Sequence, residues 1–130
     1  MPKYFTRDEA NQLLPFLRQV LPEIAAKKRD LDAQREVLGS MAARSRGNGH
    51  ALEDTVRRHE EAYRRLAAEL RELVERVQAT GCEVKDPDVG LIDFPSLREG
   101  RVVYLCWRLD EPEVAWWHEL DTGFAGRQPL

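Results

Sequence analysis

Eight positions between Leu52 and Val77 alternate strictly by four and three: Leu52, Val56, His59, Tyr63, Leu66, Leu70, Leu73 and Val77. That spacing keeps one side of an α-helix apolar over its whole length, and Arg and Glu fill the flanking positions. A chain carrying this stripe is committed to a long helix, and that helix must find a second surface to cover the stripe. Thr80-Gly81 closes it, because glycine is the residue that accepts the left-handed conformation just past a helix end.

The first partner for the stripe lies upstream. Ala10, Leu13, Leu17, Val20, Ile24, Lys27, Leu31, Gln34, Leu38 and Met41 follow the same period, with Lys27 and Gln34 as polar interruptions. Thr6 and Glu9 stand three apart, as a capping box requires. Pro15 and Pro22 each lack a backbone donor, so the region reads as one bent helix or as a short helix joined to a longer one starting near Pro22. Gly47-Asn48-Gly49, inside a turn over 44–50, reverses the chain. An antiparallel hairpin about that turn sets Leu70 near Ile24, Tyr63 near Leu31, His59 near Gln34 and Leu66 near Lys27. The hairpin is expected over 6–79.

After Gly81 the period shortens to two. Glu83-Val84-Lys85 and Leu91-Ile92-Asp93-Phe94 read as short strands around the turn Asp86-Pro87-Asp88-Val89-Gly90, and Pro95 is expected to end the second. Glu99-Gly100 is a hairpin turn. Arg101 to Leu109 is rich in β-branched and aromatic residues and forms the strongest strand. Val114 to His118 is the last. The fold class is therefore α+β: a long antiparallel, coiled-coil-like helical hairpin packed with a small antiparallel β-meander over 82–119. An ordered tail over 120–130 follows.

Composition limits function by exclusion. The 130 residues suit a single domain. Twenty basic against 23 acidic residues leave a net charge of -3, which argues against a nucleic-acid partner. No apolar run approaches the length of a membrane span and the N-terminus lacks the apolar core of a signal peptide, so the expected compartment is the cytoplasm, with no membrane partner. There Cys82 and Cys106 stay reduced as small buried groups, and Cys106, mid-strand, is expected to be inert. Ser40, Ser45 and Ser96 lie in no nucleophile-elbow context. His59, beside Gln34, reads as a seam residue that sets register.

The densest chemistry is C-terminal. Trp107, Trp116 and Trp117 precede His118-Glu119-Leu120-Asp121-Thr122-Gly123-Phe124-Ala125-Gly126-Arg127. Aromatic rings beside ionisable groups and glycine pivots are how pockets are lined. His118, Glu119 and Asp121 are the candidate ligands of a divalent metal ion, with Asp93 and Asp86 within reach on neighbouring segments. Strand alternation sends His118 to one face and Glu119 and Asp121 to the other, so their convergence needs a turn after His118. Asp93, Trp107, Trp117, Gly123, Gly126 and Arg127 are the candidate ligand-binding set, since glycines admit an anion to backbone N–H groups and arginine offers a fork of donors. The plainer alternative has His118 and Glu119 ending a strand on backbone bonds, with Phe124 and Arg127 pinning the tail.

Tyr4-Phe5-Thr6…Glu9-Ala10-Asn11…Leu13-Leu14-Pro15, Gly81-Cys82-Glu83-Val84-Lys85-Asp86, Gly90-Leu91-Ile92-Asp93-Phe94-Pro95, Val103-Tyr104-Leu105-Cys106-Trp107 and Trp117-His118-Glu119…Gly123-Phe124-Ala125-Gly126-Arg127 occur in this order. Together they resemble the bacterial domain-of-unknown-function family 2203 over essentially the whole chain. The resemblance implies one compact domain and brings no catalytic residues with it. Two functions follow as expectations. One is a non-catalytic binding or assembly module, a homodimer through its helices, with a C-terminal aromatic-polar patch for a protein partner or small anion. The other is a small metal-dependent enzyme, a hydrolase by class, using His118, Glu119 and Asp121.

Overall fold

The structure, a computed structural model, describes residues 3–44 and 50–130, the side chains of 50–52 excepted. The expected Gly-Asn-Gly turn and the side chain of Leu52 lie outside the described residues. Helix α1 spans Arg7–Gln12, α2 Leu14–Arg44 and α3 His50–Gln78. Strands follow at β1 Glu83–Asp86, β2 Leu91–Arg98, β3 Arg101–Arg108, β4 Trp116–His118 and β5 Gln128–Pro129. A 3-10 turn at Phe124–Gly126 precedes the last strand.

The capping box forms as expected. The Glu9 amide donates to Thr6 Oγ1 at 3.1 Å and the Thr6 amide to Glu9 Oε1 at 2.9 Å. The helix divides at Leu13, ahead of Pro15, and not near Pro22. Pro15 has no N–H for the Asn11 carbonyl and disfavours helical geometry at the residue before it. Pro22 stays inside α2. It and Arg18, whose carbonyl loses a donor there, are both exposed, so water can satisfy the gap.

α2 and α3 pack antiparallel, in the expected register. His59 Nδ1 lies 2.8 Å from Gln34 Oε1. Arg35 donates to the Tyr63 hydroxyl at 3.0 Å. Lys27 reaches Glu69 at 2.7 Å, one helical turn on from Leu66. Close to the sheet the two stripes are buried, through Leu17, Val20, Ile24, Leu31, Leu73 and Val77, with Leu21 buried beside them. Gly81 ends the segment with φ 104°, and a side chain there would press on Lys3 and the Phe5 ring.

Among the described residues the sheet has five strands, one more than the four segments read from the sequence, in the order β1-β2-β3-β4-β5, all antiparallel. The tail supplies the fifth, with Trp116 opposite Pro129 and Trp117 opposite Gln128. Pro95 lies inside β2, opposite Tyr104, and does not end it. The N–H and C=O of one strand residue point to the same side, and the Pro95 carbonyl accepts from the Phe5 amide at 2.7 Å. Its missing donor therefore faces the side that β1 leaves free, and the ladder to β3 is intact. Glu99 (φ 52°) and Gly100 (φ 81°) make the tight two-residue turn between β2 and β3.

Alternation divides the sheet cleanly. Ile92, Phe94, Val103, Leu105, Trp107 and Trp117 share one face and form the core with the helices and Phe5. Asp93, Tyr104, Cys106, Trp116 and His118 share the opposite face.

Candidate functional site

The second face of the sheet is polar where it is buried. Asp93, Cys106 and His118 are all but inaccessible to solvent, although they point away from the helices. Register explains the grouping. Asp93 pairs with Cys106 across β2 and β3, and Tyr104, two residues before Cys106, pairs with His118 across β3 and β4. The imidazole therefore reaches diagonally over β3 and meets the Asp93 carboxylate, with Nε2 at 3.0 Å from Oδ1 and 3.1 Å from Oδ2.

The other ring nitrogen is also committed. Nδ1 lies 2.7 Å from the Glu119 carbonyl oxygen. A carbonyl can only accept, so Nδ1 carries a hydrogen and donates it. One further proton must then lie between Nε2 and the Asp93 carboxylate, whichever group holds it. The pair is neutral as a unit, which is how a buried polar pair avoids the penalty of an isolated charge. Cys106 Sγ lies beside it: the ligand-type atoms of Asp93, Cys106 and His118 are all within 4.8 Å of one another. Burial, with the Asp93 charge added, pushes the Cys106 thiol up to about 12. Alone it is a poor nucleophile, as a mid-strand cysteine should be.

The rim is built of aromatic rings and cations. The Tyr104 ring sits 5.5 Å from that of His118, with the Lys85 ammonium 4.7 Å from the Tyr104 centroid. The tail closes the opposite end. Arg127 lies 5.1 Å from the Trp116 ring and 4.6 Å from the Phe124 ring. It donates to Glu111 Oε1 at 2.6 Å and to the Cys106 carbonyl at 3.3 Å.

The expected site residues are thereby sorted. His118 and Asp93 come together. Glu119 turns to Arg101, with which it forms an ion pair, and Asp121 is exposed. Neither carboxylate joins His118. Trp107 and Trp117 belong to the helix-side core, so the expected ligand-binding set is divided between the two faces of the sheet. Gly123 (φ 63°) opens the 3-10 turn, and a side chain at Gly126 would collide with Thr122 Cβ, so both glycines shape the tail. Asp86 caps its own turn, accepting from the Asp88 amide at 2.9 Å. Cys106 was missed as a partner of His118. Its strand and face were readable, but its neighbour across β2 depends on register.

The family model described as "Uncharacterized conserved protein (DUF2203)" matches residues 3–130. No curated protein and no solved structure matches this chain.

Proposed function

This chain belongs to the DUF2203 family of uncharacterized conserved proteins, and we propose that it acts as a non-catalytic binding and assembly module, paired with a second copy of itself through the far part of the α2–α3 arm. The observation that carries this is a change in burial along one stripe. Leu73 and Val77 are buried where α3 meets the sheet and Leu70 packs against the same core, whereas Val56, Tyr63 and Leu66 farther out stay only partly buried with α2 already packed on them. Leu38 and Met41 of α2 are in the same condition, and Val37 beside them is 37% exposed. The arm runs on for roughly 20 Å past Leu31 at the helical rise per residue.

Charge favours a second copy as the occupant. Along α3 the acidic doublets Glu53-Asp54 and Glu60-Glu61 alternate with the basic doublets Arg57-Arg58 and Arg64-Arg65. An antiparallel copy about a two-fold axis between positions 62 and 63 sets Glu61 opposite Arg64 and Glu60 opposite Arg65, and sets His59 opposite Leu66. A coiled-coil-like four-helix arrangement results, with the two sheets at its ends. Such a dimer belongs in a reducing compartment, the cytoplasm, where Cys82 and Cys106 remain thiols.

Sedimentation across a dilution series tests the reading. The expected result is a dimer that dissociates on dilution, and Val37→Lys should shift it to monomer without changing the circular dichroism. A monomer at every concentration would overturn it.

A further inference from the structure

We propose that Asp93, Cys106 and His118 form a binding site for one divalent cation of the zinc class, held on the face of the sheet that the helices do not cover. The inference is independent of self-association, since none of the three residues lies on the arm.

The donor set points to the metal. A thiol, an imidazole and a carboxylate together suit zinc and its softer neighbours, whereas magnesium and calcium take oxygen donors. The spacing fits after a small adjustment. Ligand atoms about 2.0–2.3 Å from a tetrahedral ion stand roughly 3.3–3.8 Å apart, and the three atoms here already lie within 4.8 Å of one another. Each ligand comes from a different hydrogen-bonded strand, so the backbone that positions them is rigid.

The imidazole is also oriented for the task. A histidine that ligates through Nε2 typically donates its Nδ1 hydrogen to a carbonyl or carboxylate, which fixes the ring and its tautomer. His118 makes that bond to the Glu119 carbonyl at 2.7 Å. Three protein ligands leave the fourth position of a tetrahedral ion to water.

Charge balance removes the usual objection to a buried ion. Without metal, the Asp93–His118 pair holds one shared proton and Cys106 holds its thiol proton, so the cluster is neutral. A dication that displaces both protons binds a thiolate, a carboxylate and a neutral imidazole, and the cluster is neutral again. The exchange is one M²⁺ in for two H⁺ out, with no net charge moved into the interior.

The full chain, purified without a histidine tag and dialysed against a chelator, is the material for the test. Zinc binding is read by native mass spectrometry and by competition with a chromogenic chelator, and cobalt is used for its absorption spectrum. We expect one zinc per chain and a thiolate-to-cobalt charge-transfer band in the near ultraviolet. Cys106→Ala leaves the His118–Asp93 pair in place and therefore keeps the fold, which circular dichroism checks. It should abolish the band and weaken zinc on the order of 100-fold or more, at least the loss seen when an outer hydrogen-bonding partner of a ligand is removed. Asp93→Asn should weaken zinc as well. Absence of stoichiometric zinc, zinc held equally tightly by Cys106→Ala, or cobalt bound without a thiolate band would each overturn the assignment.

Discussion

His118 and Asp93 show how little freedom a buried polar residue has. Each satisfies the other, and the backbone of Glu119 takes the remaining ring hydrogen. His118→Ala leaves a carboxylate buried without its partner, and should destabilise the fold by about 3–5 kcal/mol in urea denaturation. Asp93→Asn keeps an amide oxygen and amino group within reach of the ring, so its loss should be nearer 1–3 kcal/mol, on the scale of an imperfect buried hydrogen bond. Equal losses in the two variants would mean that the pairing matters less than the shape it fills. Cys106 adds a chemical probe at the same scale. A thiol pushed up to about 12 and shielded from solvent should resist alkylation at neutral pH until the protein unfolds. Prompt labelling of native protein at Cys106 would contradict this packing.

Among the elements, the β2–β3 hairpin carries a visible strain and the arm a visible electrostatic lock. Glu99 takes a left-handed conformation that costs an L-residue with a large side chain roughly 1–2 kcal/mol, and its partner in the turn is already glycine. Glu99→Asn should therefore raise stability by up to about 1 kcal/mol, read as a higher melting temperature, and no gain would mean that another contact compensates. On the arm, the hydrogen bond from Lys27 holds the Glu69 carboxyl below its ordinary value of 4.5, and the same bond holds Lys27 above its ordinary 10.5. The sign follows from linkage. Glu69 contributes above its unfolded value and the contribution is lost as pH falls through the lowered one, while that of Lys27 is lost only as pH rises through its raised value. Glu69→Gln should thus weaken the hairpin at neutral pH and make no difference in strong acid. Both side chains keep about a third or more of their surface in solvent, 32% for Lys27 and 41% for Glu69, so the effect is small, and a difference that grows with acid would contradict it.

At the scale of the whole molecule, one sheet separates two unlike environments. Its inner face is the apolar core; its outer face holds a buried polar cluster that the tail helps to cover. The tail's part in that cover is Arg127, which the pairing of β5 with β4 holds in place and which lies against the Trp116 ring and donates to the Cys106 carbonyl. Removal of residues 128–130 should leave the helical content unchanged in circular dichroism and accelerate labelling of Cys106. Loss of the entire cooperative transition on the same truncation would show instead that the tail belongs to the core.

The helices were legible because helical periodicity is a local property. The stripe from Val56 to Val77, the Thr6–Glu9 cap and the Gly81 stop each depend on residues within a few positions, and even the His59–Gln34 pairing followed from one assumed reversal. The strand at Arg101–Arg108 and the Glu99-Gly100 turn were local in the same way. Three features were not. Pro95 stays in its strand because β1 stops short beside it, the tail becomes a fifth strand because β4 has a free edge, and Cys106 faces His118 because two registers place it there. Register sums over pairings tens of residues apart, and a shift of one residue would turn Asp93 or Cys106 to the other face. The sequence by itself therefore determined that a long helical hairpin is followed by an antiparallel sheet rich in tryptophan. Only the tertiary structure decided that His118 meets Asp93 and Cys106, and that Glu119 and Asp121 do not, since that choice belongs to the strands on either side of β3 and to no single stretch of chain.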